Sequence, residues 1–196
     1  LKVSLHYPTM KLKKDVQKCN HWSMNIGEIL LETHSNEHYL NSLSFMRMMG
    51  LLCSDGGFYK SGNLIYANVN LDHKFDADAV KDDIQLFTQK DVSIQFHKNQ
   101  WNGYFQIRLP QDLTNNLLHL EGLTIGRKTD QPIHFPNFIL DKNLPTPLLR
   151  EFIGALFGGD GHTCHLRKHR GKQDLLTSIS FSRSSLGSNL SLIHIS

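Results

Sequence analysis

The spacing of apolar residues predicts alternating helices and strands between residues 43 and 121, whereas residues 1–42 show no clear period. Every second residue of 64–71 is apolar, as in a strand with one buried face, whereas Val80, Ile84 and Phe87 recur at helical spacing. The predicted elements are a helix at 43–53 capped by Ser42 or Ser44, a strand at 64–71, a helix at 76–89, strands at 92–97 and 104–109, and a helix at 111–121 that stops at Gly122. Together with strand-like residues after the first helix, the order is helix, two strands, helix, two strands, helix.

A second unit follows a proline-containing linker. Thr146-Pro147 fits a helix start, because threonine is a good N-cap and proline is tolerated in the first turn. Apolar residues then recur along 149–157, and a strand pair is expected after Gly161, with apolar and serine residues alternating in 175–182. We divide the chain into an N-terminal lead-in or end of a preceding domain (1–42), a first repeat (43–123), a linker (124–145), the start of a second repeat (146–189) and residues 190–196. The second repeat is truncated, since its middle helix, second hairpin and closing helix are missing.

Two segments, 48–56 and 153–161, share one pattern: an apolar helical run that ends in Asp-Gly. The acids Asp55 and Asp160 lie 105 positions apart (160 − 55). Each is preceded, at one and five positions before it, by small residues, which are Gly50, Ser54, Ala155 and Gly159. Small residues four apart share a helix face and allow two backbones to approach closely. Two such helices side by side would bring the two acids together.

Aspartate at a helix C-terminus is unfavourable against the helix dipole, so finding it there twice indicates a functional reason. Two close carboxylates suit a divalent cation, and Mg²⁺ prefers a few carboxylates plus water and substrate oxygens. For either Asp-Gly alone, an ordinary helix-ending turn is the simpler interpretation.

The predicted strands also carry a face rich in amide, hydroxyl and aromatic groups. Its members are Tyr66, Asn68, Asn70, Ser93, Gln95, His97, Tyr104, Gln106 and Arg108. Apolar residues, which include Phe96 and Phe105, alternate with these polar ones. Asn, Gln and Arg suit base edges in the major groove, whereas a solvated face normally carries more Lys and Glu. An ordinary wet sheet face remains the alternative.

Charge alone does not demand a nucleic-acid partner, because the formal net charge is only +3. A local basic run contains Arg167, Lys168 and Arg170, and beside a phosphate-cutting site these side chains are candidates for backbone contacts. Three cysteines give no paired framework, which favours a reduced, intracellular protein of unknown compartment. Cys164 and its neighbouring histidines lack a second cysteine at ligand spacing, so zinc is not predicted. No signal peptide or membrane span is visible.

The repeated pattern resembles the double LAGLIDADG motif of homing endonucleases, including the DOD-type enzymes found inside inteins. Asp55 and Asp160 match the acid that ends the motif, while Cys53 and Gly158 replace its earlier, non-catalytic acid. The resemblance implies an α+β fold built from αββαββα repeats, with two pseudo-symmetric domains forming a saddle over double-stranded DNA. It further implies a monomeric, Mg²⁺-dependent endonuclease of a mobile element, in which both acids bind metal and activate water.

Other interpretations stay open. The chain could be an endonuclease domain within a self-splicing intein, a non-catalytic maturase-like relative, or an unrelated α/β interaction module. Both ends look cut, because the chain begins at Leu1 and residues 190–196 resemble a translated sequencing adapter. We therefore expect this piece by itself to be inactive.

Overall fold

The computed structural model describes residues 22–98, 103–126, 135–162, 165–169, 172–176 and 180–181, with side chains described through Gly159. The helices are α1 (Asn36–Cys53), α2 (Lys74–Thr88), α3 (Gln111–Leu117) and α4 (Thr146–Asp160), with a 3-10 helix at Asn137–Leu140. The strands are β1 (Ser23–Ile26), β2 (Ile29–Glu32), β3 (Gly57–Ser61), β4 (Leu64–Leu71), β5 (Ile94–Lys98), β6 (Gly103–Arg108), β7 (Gly161–His162), β8 (His165–His169), β9 (Lys172–Leu176) and β10 (Ser180–Phe181). From α1 to α3 the order is αββαββα, so the predicted α+β fold is confirmed. In the part of the chain that the structure describes, no helix is long and apolar enough to cross a membrane.

A four-stranded antiparallel sheet forms the centre of the fold, in the order β3-β4-β6-β5. Helices α1 and α2 cover one of its faces. The residues that alternate onto that face, such as Ala67, Val69 and Ile107, are fully buried. The helices meet them with apolar stripes, and Phe45 of α1 packs edge-on against Phe87 of α2 with ring centroids 5.6 Å apart. The core thus lies between the helices and one sheet face, and none of the described helices covers the other face.

Helix α1 begins earlier than the sequence predicted. Its N-cap is Ser35, whose Oγ accepts from the His38 amide at 3.1 Å. Ser42 and Ser44, the predicted caps, lie inside the helix and are buried. Ser42 donates to the His38 carbonyl and Ser44 donates to Asp83, so both hydroxyls are satisfied without capping.

Helix α3 ends at Leu117, four residues before the predicted end. The chain continues in tight turns, with the His119 amide bonded to the Asn116 carbonyl and the Leu120 amide to that of Leu117. Gly122, the predicted stop, has a φ of +94° and faces the Phe135 carbonyl, which a Cβ would approach to 2.0 Å. The reversal at this point therefore requires glycine.

Two segments whose apolar residues show no regular spacing also pack tightly. Strands β1 and β2 form a hairpin that buries Ile26 and Leu31 in the same core. In the predicted linker, the Phe135 ring packs edge-to-face against Phe152 of α4, with ring centroids 5.9 Å apart. The ring centroids of Phe138 and Phe45 are 6.5 Å apart. These segments were hard to predict because their apolar residues are few and irregularly spaced.

The predicted strand pair after Gly161 is present as two nested antiparallel pairings, β8 with β9 and β7 with β10. Register places Arg167 opposite Asp174 and Lys168 opposite Gln173. Arg170, the third predicted phosphate contact, lies outside the described residues, as do Ser178 and Ile179.

Candidate functional site

Helices α1 and α4 pack side by side, with almost no space between them at Gly50. A Cβ on Gly50 would lie 2.3 Å from the carbonyl oxygen of Phe152 and 2.8 Å from the Cβ of Ala155. Real carbon and oxygen atoms do not approach that closely, so this crossing requires glycine in α1 and a small residue in α4. The structure therefore places Gly50 against Ala155, two of the four small residues singled out in the sequence.

The other two small residues meet at the ends of the same helices. A Cβ on Gly159 would lie 2.2 Å from Ser54 Oγ and 2.6 Å from Asp55 Oδ2. Ser54 follows the last residue of α1, and its hydroxyl donates to the Gly50 and Leu51 carbonyls at 3.2 Å each. The Asp55 carboxylate thus lies directly beside the last turn of α4. Asp160 is the next residue of that turn, and its side chain lies outside the described part.

A tight turn carries Asp55 from α1 into β3. The Gly56 amide donates to the Leu51 carbonyl at 2.9 Å. A Cβ on Gly56 would lie 2.6 Å from the Asn68 carbonyl oxygen and 2.7 Å from Leu52 Cα, both of which are backbone atoms. Gly56 was not among the predicted site residues, although its recurrence after both aspartates was the available signal. It fixes where the acid leaves the helix.

A side chain of the sheet also contacts the backbone of Asp55. Asn70 Nδ2 donates to the Asp55 carbonyl oxygen at 3.0 Å, and Asn70 Oδ1 accepts from Gln106 Nε2 at 3.0 Å. A continuous hydrogen-bonded path therefore joins the turn after α1 to the face of the sheet that the helices do not cover.

The chemistry of this corner fits a hard divalent cation. Carboxylate oxygens are the ligands that Mg²⁺ prefers, and the negative ends of two helix dipoles point to the same place. Neither α1 nor α4 has a basic residue in its last turn to offset that potential. Among the described side chains, no three His, Cys, Asp or Glu residues are grouped to hold a metal, and Asp160 lies outside that set.

The face of the sheet opposite the helices, called the open face below, carries eight of the nine strand residues that the sequence predicted to contact DNA. Strand register aligns Asn68 with Arg108, Asn70 with Gln106, Gln95 with Gln106, and His97 with Tyr104. Tyr66 lies on the same face opposite Tyr59, a residue that the sequence did not single out. Ser93 is exposed but precedes β5, so it is outside the ladder.

Tyr59, Tyr66 and Arg108 contact one another on the open face. Tyr59 and Tyr66 are stacked with centroids 6.0 Å apart, and the Arg108 guanidinium carbon lies 4.4 Å over the Tyr66 ring. Burial raises the pKa of the Tyr59 phenol. Asn68, which pairs with Gly57 in the ladder, is only 4% exposed, so its side chain is buried where the sequence predicted a contact with DNA bases.

Phe96, one of the apolar residues of β5, is not part of the core. It is 59% exposed and contacts Phe105 with centroids 5.0 Å apart. Strand β5 is the edge of the sheet, where alternation alone does not reveal how far a side chain is exposed.

No protein-family model and no curated protein matches this chain. Among solved structures it is similar to I-DmoI in complex with DNA and Mn, with 16% identity and a TM-score of 0.41 over 63% of this chain and 64% of that one. It is similar to mesophilic variants of the homing endonuclease I-DmoI, with 15% identity and a TM-score of 0.41 over 63% of each chain. A third similarity is to the homing endonuclease I-WcaI bound to its DNA recognition sequence, with 12% identity and a TM-score of 0.38 over 79% of this chain and 59% of that one. The chain thus spans just under two thirds of the length of these structures.

Proposed function

We propose that the full protein containing this chain is a LAGLIDADG-type homing endonuclease that makes a site-specific double-strand cut in DNA. The observation that carries the proposal is the packing of Gly159 against Ser54 and Asp55, because it brings the ends of the two repeated segments to one point. A tight turn alone would explain one Asp-Gly, but it gives no reason for two of them to converge.

Asp55 and Asp160 are the residues that would hold Mg²⁺. When bound, a divalent cation supplies charge neutralisation on the phosphate and an activated water for phosphodiester hydrolysis. The chain's own contribution is positioning: Gly56 and Ser54 fix the turn that aims Asp55, and the close helix crossing fixes its distance from α4.

The open face is proposed to contact base edges in the major groove. Gln95, Gln106 and Arg108 offer the amide and guanidinium groups that suit adenine and guanine. Arg167, Lys168 and Arg170 are proposed to contact phosphates on the second unit's side, where they would add affinity without sequence preference. Because both repeats belong to one chain, we propose that the complete enzyme acts as a monomer.

The test uses the full-length protein and a plasmid carrying its selected target. Asp55→Asn and Asp160→Asn should each abolish Mg²⁺-dependent cleavage while DNA affinity stays close to that of the wild type. Asp78→Asn is the matched control, since it removes an exposed carboxylate from α2 in the helical layer. Cleavage by the doubly substituted protein, or cleavage in excess EDTA, would disprove the catalytic assignment.

A further inference from the structure

Asn70 and Gln106 both lie on the open face, where base contact is proposed, yet their side-chain amides are already engaged. Gln106 Nε2 donates to Asn70 Oδ1 at 3.0 Å, and Asn70 Nδ2 donates to the Asp55 carbonyl at 3.0 Å. The two side chains face each other across neighbouring strands, because Asn70 and Gln106 are partners in the β4–β6 register.

The orientation of both side-chain amides follows from which partner atoms can donate and which can only accept. The Asp55 carbonyl can only accept, so the Asn70 atom that faces it must be the NH₂ group. The Asn70 oxygen must then face Gln106, which in turn must present its NH₂ group. Reversing the Gln106 amide would place two oxygens against each other, so the orientation of Gln106 holds that of Asn70.

We infer that Asn70 and Gln106 are positioning residues that link contact on the open face to the turn carrying Asp55. The functional consequence of this inference rests on the proposed function, whereas the hydrogen-bonded path itself does not. Asn70 touches the backbone of Asp55 rather than the reacting atoms. A base that competes for the Gln106 amide would release Asn70 and alter the hold on the Asp55 carbonyl.

The geometry can be tested in this chain without DNA or metal. Asn70→Ala and Gln106→Ala should both shift the backbone ¹³C′ resonance of Asp55 and speed hydrogen exchange at the Gly56 amide, which belongs to the same peptide unit and donates to the Leu51 carbonyl. Gln95→Ala is the matched control, because Gln95 is the other register partner of Gln106 on the open face and should leave both signals unchanged. An unchanged Asp55 resonance in Gln106→Ala overturns the inference, as does an equal shift in Gln95→Ala.

The functional consequence is measured in the full-length protein. Losing a positioning hydrogen bond should lower kcat about tenfold in Asn70→Ala, while KM and the preferred DNA sequence are retained. A base-reading role would instead raise KM and relax the preference at one base pair, and that result overturns the inference. Asp55→Asn, measured in parallel, separates the two proposals: if it still cleaves, the proposed function fails, whereas the resonance shifts test the positioning path independently.

Discussion

Arg47 of α1 donates through Nη1 to Glu151 of α4 at 3.0 Å, which ties the two helices together about two turns before Asp55. The same guanidinium makes a two-pronged contact with Asp83 of α2, at 2.8 Å from Nε and 2.6 Å from Nη2. The Asp83 carboxylate is the main reason that the pKa of Arg47 is raised above its usual range. One side chain thus joins all three long helices.

Removing that side chain should cost measurable stability. Arg47→Met leaves the Asp83 and Glu151 carboxylates without their shared partner, and we expect a loss of about 1–2 kcal/mol after allowing for solvent screening. Screening matters because the Arg47 side chain is 38% exposed. Urea unfolding of this chain measures the effect. Lys74→Met removes an exposed pair with Asp78 as the control and should change stability by no more than about 0.5 kcal/mol. Equal losses in the two variants would show that the Arg47 contacts add nothing.

Replacing a helix glycine by alanine should lower stability at the helix crossing and raise it away from the crossing. Gly50→Ala should destabilise by about 1–3 kcal/mol or more, because its Cβ has no space against the Phe152 carbonyl. Gly154→Ala, in the exposed part of α4, meets nothing within 4 Å and should stabilise by roughly 0.5–1 kcal/mol through helix propensity.

Ala155→Leu should resemble Gly50→Ala, since Ala155 forms the other side of the contact. Thermal melting distinguishes the cases, as 1 kcal/mol corresponds to about 2–4 °C for a protein of this size. If Gly50→Ala and Gly154→Ala shift Tm in the same direction, the two helices do not cross as found.

The open face and the basic hairpin should differ in how they affect DNA binding. Arg108→Ala removes an exposed guanidinium from the open face and should relax preference at one base pair, costing about 1–3 kcal/mol of discrimination. Arg167→Ala should weaken binding to all sequences equally and reduce the salt slope by about one. Site selection from a random library, with affinities measured at two salt concentrations, separates the outcomes. A change at one base pair in Arg167→Ala, or an unaltered preference in Arg108→Ala, would refute this division.

The sequence predicted the strand faces well because alternation is a local property. Once β4 and β6 were recognised, their period of two placed Asn70, Gln106 and Arg108 on one face without knowledge of the partner strand. The matched spacing of the two Asp-Gly segments likewise predicted which small residues would meet, because helix geometry relates residues four apart.

What the sequence could not supply depends on contacts between distant residues. The pairs Arg47–Asp83 and Arg47–Glu151 join positions 36 and 104 residues apart, and nothing local marks them. The burial of Asn68 and the exposure of Phe96 depend on which side chains pack around them. Both are properties of packing rather than of period.

The unequal residues at the helix crossing also affect which helices can associate. Gly50 has no Cβ at the point where Ala155 has one, and a second Cβ there would lie 2.8 Å from the first. Two copies of α4 brought together in the same geometry would therefore clash, whereas α1 with α4 fits. The contact therefore disfavours self-association of two copies through α4, because each copy would bring an alanine to the position where only glycine fits.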